Sequence, residues 1–226
     1  MQTCPQQRTP EWFRQRSGLL TASKFSSALG HNKWEPALNA FLDLAHARAP
    51  TLAHQTEAMK RGIEMEPIAI ALYESQTGKK VKHGGLFIKE GLGGSPDGWT
   101  EDGTLIEVKT PMKPRPHLDL EYNDQIQGLM WIMDLPRAEL VVYYPQGLQI
   151  LRIPRDPLWE KNELPRLKMF VEIAKKVKEE PNPESKAALI SRAGFDGNEW
   201  LDGFRAHKYL LSHVKDPGDE GTPKDD

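Results

Sequence analysis

Pro96-Asp97, nine turn-rich residues, then Glu107-Val108-Lys109 set two carboxylates and an ammonium at the spacing of a metal-dependent nuclease site built on a β-hairpin. Phosphodiester hydrolysis needs charge stabilisation on the phosphorus oxygens, an activated water and help for the leaving oxygen. Hard oxygen ligands holding one or two Mg²⁺ supply all three. Two unit charges about 4 Å apart interact by roughly 4 kcal/mol at an effective dielectric near ~20, so packed acids without a cation would protonate or splay. Lys109 suits three tasks: orienting the attacking water, deprotonating it, or neutralising the scissile phosphate. The isolated triplet also fits a blander arrangement, in which Asp97-Gly98 is a turn and Glu107 and Lys109 lie on a solvated strand face.

Positioning the triplet requires a hairpin. Leu105, Ile106, Val108 and Thr110 surround Glu107 and Lys109 with strand formers. The two-residue period puts those two on one face and turns Ile106 and Val108 to the core. Thr100-Glu101-Asp102-Gly103 carries Asp-Gly turn chemistry, which reverses the chain and brings Asp97 beside Glu107. Helices are expected on either side. Glu57 to Tyr73 has Met65, Ile68 and Leu72 at helical spacing, contains Glu66, and is kinked or restarted by Pro67. His117 to Met133 carries Tyr122 and Gln125 at i and i+3, and Gln127 and Trp131 at i and i+4.

Upstream, short helices are expected over Glu11 to Arg16 and from a cap at Thr21 or Ser23 to just before Gly30. A helix start beside Arg16 and Ser23 offers backbone N–H groups, a guanidinium and a hydroxyl to an anion; an N-cap serine and a surface arginine fit as well. Strands are expected at Leu86 to Ile88, Gly93 to Trp99, Leu105 to Thr110, Ala138 to Tyr144 and Leu148 to Ile153, the last pair turned by Pro145-Gln146-Gly147. Helices over Leu158 to Glu180 and Pro183 to Ser212 follow. The fold class expected is α/β, a central mixed β-sheet flanked by helices.

In order, Trp12…Arg16…Thr21-Ala22-Ser23, Gly62…Glu66, Ser95-Pro96-Asp97-Gly98, Glu107-Val108-Lys109 and Tyr122…Gln125…Gln127 resemble the phage lambda exonuclease family of viral recombination nucleases, from about residue 10 to residue 150. The ordered set is far more specific than the short Pro-Asp…Glu-x-Lys signature, which restriction enzymes and many other nucleases share. The resemblance implies a restriction-endonuclease-like core and a Mg²⁺-dependent, processive exonuclease, with Mn²⁺ able to substitute. Such an enzyme digests the 5′-ended strand of duplex DNA to 5′-mononucleotides and leaves a 3′ single strand.

It also implies a homotrimeric ring, DNA ends bearing a 5′ phosphate as substrate, and a single-strand annealing protein as partner. Carried over by position, Asp97 and Glu107 are metal ligands, joined by the Val108 carbonyl, with Glu66 at a second metal or its water. Lys109 is the catalytic lysine, Gln125 an orienting group and Tyr122 an aromatic at the site. Arg16 and Ser23 match the pocket for the terminal phosphate. The competing functions are an endonuclease or a junction or flap nuclease on the same core, and an inactive module that binds DNA ends.

At 226 residues the chain is long enough for one substantial core, expected as a single nuclease domain over 1–213. The single cysteine, Cys4, excludes a disulfide framework and leaves no cysteine set for zinc or an iron–sulfur cluster. No apolar run approaches the roughly 18 residues of a membrane span, so no membrane association is expected and a cytoplasmic location in a bacterial host is. The formal charge of −2 is concentrated at the end. From residue 214 on, five acids against two lysines give −3, which leaves +1 for the rest. That tail, 214–226, is expected to be acidic and disordered.

Overall fold

The structure is a computed structural model that describes residues 7–45, 56–115, 117–182 and 184–185. In chain order its elements are α1 (Pro10–Arg16), β1 (Leu20–Thr21), a 3₁₀ turn (Ala22–Lys24), α2 (Phe25–Ala28), α3 (Ala37–Ala45) and α4 (Glu57–Thr77). Then come β2 (Val81–Lys82), β3 (Phe87–Lys89), β4 (Leu92–Gly94), β5 (Gly98–Thr100), β6 (Thr104–Lys109), α5 (Leu118–Met133), β7 (Arg137–Tyr144), β8 (Gly147–Pro154) and α6 (Pro157–Glu179).

The strands form two mixed sheets, β1-β4-β3 and β2-β5-β6-β7-β8. In the larger, β6 runs parallel to β7 while the other pairs are antiparallel. Parallel neighbours need a long crossover, and α5 lies within it. β6 is central and buried almost throughout, with period two deciding which side each residue serves. Leu105 packs with Ile126, Leu129 and Met130 of α5. Ile106 and Val108 pack with Ala69, Ile70 and Tyr73 of α4, as their alternation predicts.

Thr56 caps α4 by accepting the Met59 N–H, and Gly78, in the left-handed region at φ 72°, closes it. The helix runs through Pro67 without ending. Its inward face is Ala69, Ile70 and Tyr73. The expected apolar stripe is turned outward instead: Ile68 and Leu72 are 44% and 37% exposed. The phase is set by a polar tie as well as by hydrophobicity, since the Tyr73 hydroxyl donates to Glu139 Oε2 of β7 at 2.5 Å.

Other expectations are adjusted. The segment from Gly93 to Trp99 is two strands in two sheets, broken at Ser95-Pro96-Asp97, where proline offers no ladder N–H. The helix expected from Thr21 or Ser23 is a 3₁₀ turn leading into α2, and Thr21 makes no side-chain cap. The two-residue β1 and β2 and helix α3 were not singled out in the sequence. The second C-terminal helix expected from Pro183 and the acidic tail fall, apart from 184–185, outside the described residues.

Candidate active site

The hairpin of β5 and β6 closes through Gly103 at φ 75°, whose N–H reaches the Thr100 carbonyl at 3.1 Å. Its register pairs Gly98 with Ile106, so Asp97 arrives opposite Glu107. Beyond the last ladder pair the Val108 N–H donates to Asp97 Oδ2 at 2.7 Å, so a side chain continues the pairing that the backbone has left. Gly98 is a strand residue here rather than part of a turn. A Cβ on it would lie 2.3 Å from Val81 Cγ1 and 2.9 Å from the Lys82 carbonyl, so its bareness lets β2 close against β5.

Glu107 is 2% exposed. Its Oε1 accepts from Lys109 Nζ at 2.6 Å and from Gln125 Nε2 at 2.6 Å, and Gln125 Oε1 accepts from the same Nζ at 3.3 Å. The ammonium lies 4.3 Å from the centre of the Tyr122 ring. Asp124 and Gln127, on α5 with Gln125, fix that helix. Asp124 accepts from Trp159 Nε1 at 2.8 Å, while Gln127 donates to the Pro154 carbonyl at 3.0 Å and accepts the Asp156 N–H at 2.9 Å. Gln127 is thus a buried strut between α5 and the start of α6.

Burial, followed by the charges of Glu107 and Glu66, raises the Asp97 pKa well above the ordinary aspartate range. For Lys109 burial opposes the charge, but Glu107 and Asp97 outweigh it and raise its pKa. Glu107 Oε2 is buried without any hydrogen-bond partner. Glu66, reaching in from α4, is paired with Arg8, whose Nη2 lies 2.6 Å from Glu66 Oε2. Arg8 holds a left-handed backbone, φ 67°, and Gln7 beside it donates to the Pro96 carbonyl at 2.6 Å. Neither residue stood out in the sequence; only the positive φ marks Arg8, and that is invisible before folding.

Arg16 occupies the same cavity. Its Nη1 donates to Ser95 Oγ at 3.3 Å, and its Nη2 to Thr21 Oγ1 at 3.0 Å and Ser23 Oγ at 3.4 Å. The guanidinium lies 4.4 Å from the Trp12 ring centre, and its Nε is buried without a partner. Burial lowers its pKa to about 10, which still leaves it charged at neutral pH. Hydroxyls and a ring surround this cation where a carboxylate would ordinarily stand. The cavity wall around Arg16 is therefore built by side chains, with Ser23 supplied from the 3₁₀ turn Ala22–Lys24.

One cavity of about 370 Å³ is lined by Arg16, Ser23, Glu66, Asp97, Glu107, Lys109 and Gln125. Tyr122 borders a neighbouring one that shares Ser23 and Gln125. Among the described residues no three histidine, cysteine or acidic side chains converge as a ready-made cage. A divalent cation nevertheless fits the donors present. The orphaned Oε2 of Glu107 and the carboxyl of Asp97, whose pKa is raised, are hard oxygens that a cation would satisfy. Because a strand residue directs its N–H and C=O to the same side, the Val108 carbonyl leaves the strand on the edge where its N–H meets Asp97.

Residues 11–135 match the YqaJ-like viral recombinase domain. The alkaline exonuclease LHK-Exo from Laribacter hongkongensis superposes with a TM-score of 0.66 at 29% identity, covering 80% of this chain and 100% of that one. The crystal structure of LHK-Exo with dAMP gives 0.65 at 30% identity, covering 76% of this chain and 95% of that one. A phage-related exonuclease from Haemophilus somnus 129PT has the same fold at 17% identity, with a TM-score of 0.56 over 71% of this chain and 93% of that one. No curated protein sequence matches.

Proposed function

Because the chain belongs to the YqaJ-like viral recombinases of the lambda exonuclease family, we propose that it is a Mg²⁺-dependent deoxyribonuclease that degrades the 5′-ended strand of duplex DNA processively. The product is a 3′ single strand for recombination. The observation that carries the reading is one cavity holding both a buried carboxylate pair, with Glu107 Oε2 free of any hydrogen-bond partner, and a guanidinium whose described side-chain partners are hydroxyls. The solved complex of LHK-Exo with dAMP supports it, because a deoxynucleoside monophosphate is what such hydrolysis releases.

Asp97, Glu107 and the Val108 carbonyl would hold Mg²⁺, or Mn²⁺ in its place, with Glu66 at a second ion or its water. When bound, the cation neutralises charge on the phosphate oxygens and lowers the pKa of a bound water. The remaining steps fall to this chain's side chains. Lys109, kept protonated by Glu107 and Asp97 while no cation is bound, serves the attacking water or the scissile phosphate as donor, or as base once a cation has drawn those carboxylates away. Gln125 holds both the ammonium and the carboxylate, accepting from Lys109 and donating to Glu107. Arg16 and Ser23 receive the terminal 5′ phosphate, and Tyr122 holds Lys109 from the opposite side.

The homotrimeric ring and a single-strand annealing protein as partner belong to the same proposal. Among the described residues no helix is long and apolar enough to cross a membrane. Titrating Mg²⁺ against linear and covalently closed circular duplexes tests the reading. Linear DNA should release 5′-mononucleotides in proportion to metal occupancy while circles stay intact. Cut circles would make the protein an endonuclease, and metal-independent or absent cleavage would overturn the assignment.

A further inference from the structure

Beside the catalytic cavity lies a second of about 740 Å³, reached past Ser23 and Gln125, which line both. Its walls include His31, Lys33, Arg115 and His117, and no carboxylate is among the described residues lining it. For a chain of net charge −2, Lys33 and Arg115 bring two cationic side chains to one cavity. Trp34 at its edge is 76% exposed, the most exposed of the large hydrophobic side chains described.

His31 is held rather than free to turn. Its Nδ1 lies 2.9 Å from Asp124 Oδ2, and the other oxygen of that nearly buried carboxylate accepts Trp159 Nε1. The hydrogen bond to Asp124 is the main cause of a raised His31 pKa; Glu163 adds to it, while burial and Arg166 oppose it. The ring, with 45% of its side chain accessible, thus turns its Nε2 edge away from Asp124, and the raised pKa widens the pH range over which that edge carries a proton.

Resting on the nuclease reading, we propose that this second cavity is a binding site for an unpaired segment of DNA adjoining the scissile position, with His31 donating to a backbone phosphate and Trp34 stacking on a base. Its volume is that of a small-ligand pocket, roughly 300–1,000 Å³, the scale of individual nucleotides. An indole stacks on any base without reading sequence, and anchored cations follow the backbone, which is what strand degradation without sequence preference requires. Asp124 ties the site to catalysis, since the next residue on α5 is Gln125.

The test uses the full-length chain in EDTA with 5′-phosphorylated oligothymidylate and, separately, a blunt duplex, binding being measured across a salt series for wild type, Trp34→Ala and His31→Gln. Glutamine keeps a donor for Asp124 while removing the charge, and Trp34 is exposed, so both variants should fold. Trp34→Ala should bind the oligothymidylate about 5- to 150-fold more weakly, as for loss of one stacked base. His31→Gln should reduce the slope of log affinity against log salt by about 0.7, as for one lost phosphate contact on a single strand. Unchanged affinity and slope in a wild-type background that degrades DNA would overturn the subsite alone, as would losses confined to the duplex. A wild type that neither binds nor degrades DNA would overturn the functional reading and the subsite together.

Discussion

Asp97 is the residue whose environment most needs something the chain does not supply. Its folded pKa lies above the unfolded value, so its contribution to stability is fully present below about pH 4 and is lost as pH rises through the folded pKa. At neutral pH the metal-free protein therefore bears a cost at Asp97, either of ionising it beside Glu107 and Glu66 or of holding it protonated. Asp97→Asn, which keeps an oxygen for the Val108 N–H, should melt above wild type in EDTA at pH 7, each kcal/mol released being worth roughly 2–4 °C. Mg²⁺ should raise the wild-type Tm and leave the variant's unmoved, while cleavage by the variant falls to background. A variant that melts lower in EDTA would show the charge to be structural.

Arg16 poses the complementary question, a charge with hydroxyls where an anion belongs. Hydrogen bonds to charged groups contribute about 1.5–3 kcal/mol, so a 5′ phosphate should be preferred over a 5′ hydroxyl by about 10- to 150-fold in initiation rate. Arg16→Ala should erase most of that ratio. Equal initiation by wild type on both ends would remove Arg16 from end recognition.

At the level of elements, the hairpin of β5 and β6 brings Asp97 to Glu107, and β2 braces it. Gly98→Ala would set a Cβ against the Lys82 carbonyl, backbone that cannot rotate away, so β5 or β2 must shift. Overpacking of this kind costs about 1–3 kcal/mol. Because Gly98 directly follows Asp97, the rate should fall further than the stability loss explains, measured as kcat at a temperature where the variant remains folded. A variant destabilised as expected but with wild-type kcat would show that the hairpin tolerates sliding.

This hairpin was legible in the sequence because its signals are local: alternation in Leu105 to Lys109, Asp-Gly at the turn, and a spacing that gives the register. The helix over Glu57 to Thr77 was legible as a helix but not in phase. Its most apolar stripe, Met65, Ile68 and Leu72, does not face the sheet, because Tyr73 is drawn inward to Glu139, a partner 66 residues away. The two-residue strands likewise exist only through pairing with distant segments, β1 with β4 and β2 with β5, and Arg8 meets Glu66 only across 58 residues. Local chemistry identified the acids; long-range pairing chose their companions.

For the molecule as a whole, the difficulty is a DNA enzyme with a formal charge of −2. Affinity from phosphate contacts alone falls with salt by a slope of about 0.9 per contact on duplex DNA, so a chain with no net positive charge should load weakly at physiological salt. Long uninterrupted digestion then needs another source of retention, and a closed ring supplies it topologically. If the enzyme is the proposed homotrimer, light scattering should give a mass near three chains. Raising the salt before DNA is added should suppress initiation steeply, whereas raising it after engagement, with excess unlabelled duplex as a trap, should leave digestion of the engaged molecules nearly unaffected. A strict monomer that digests kilobases through the same trap would separate processivity from encirclement, and retention would then have to come from contacts such as those proposed for His31 and Trp34.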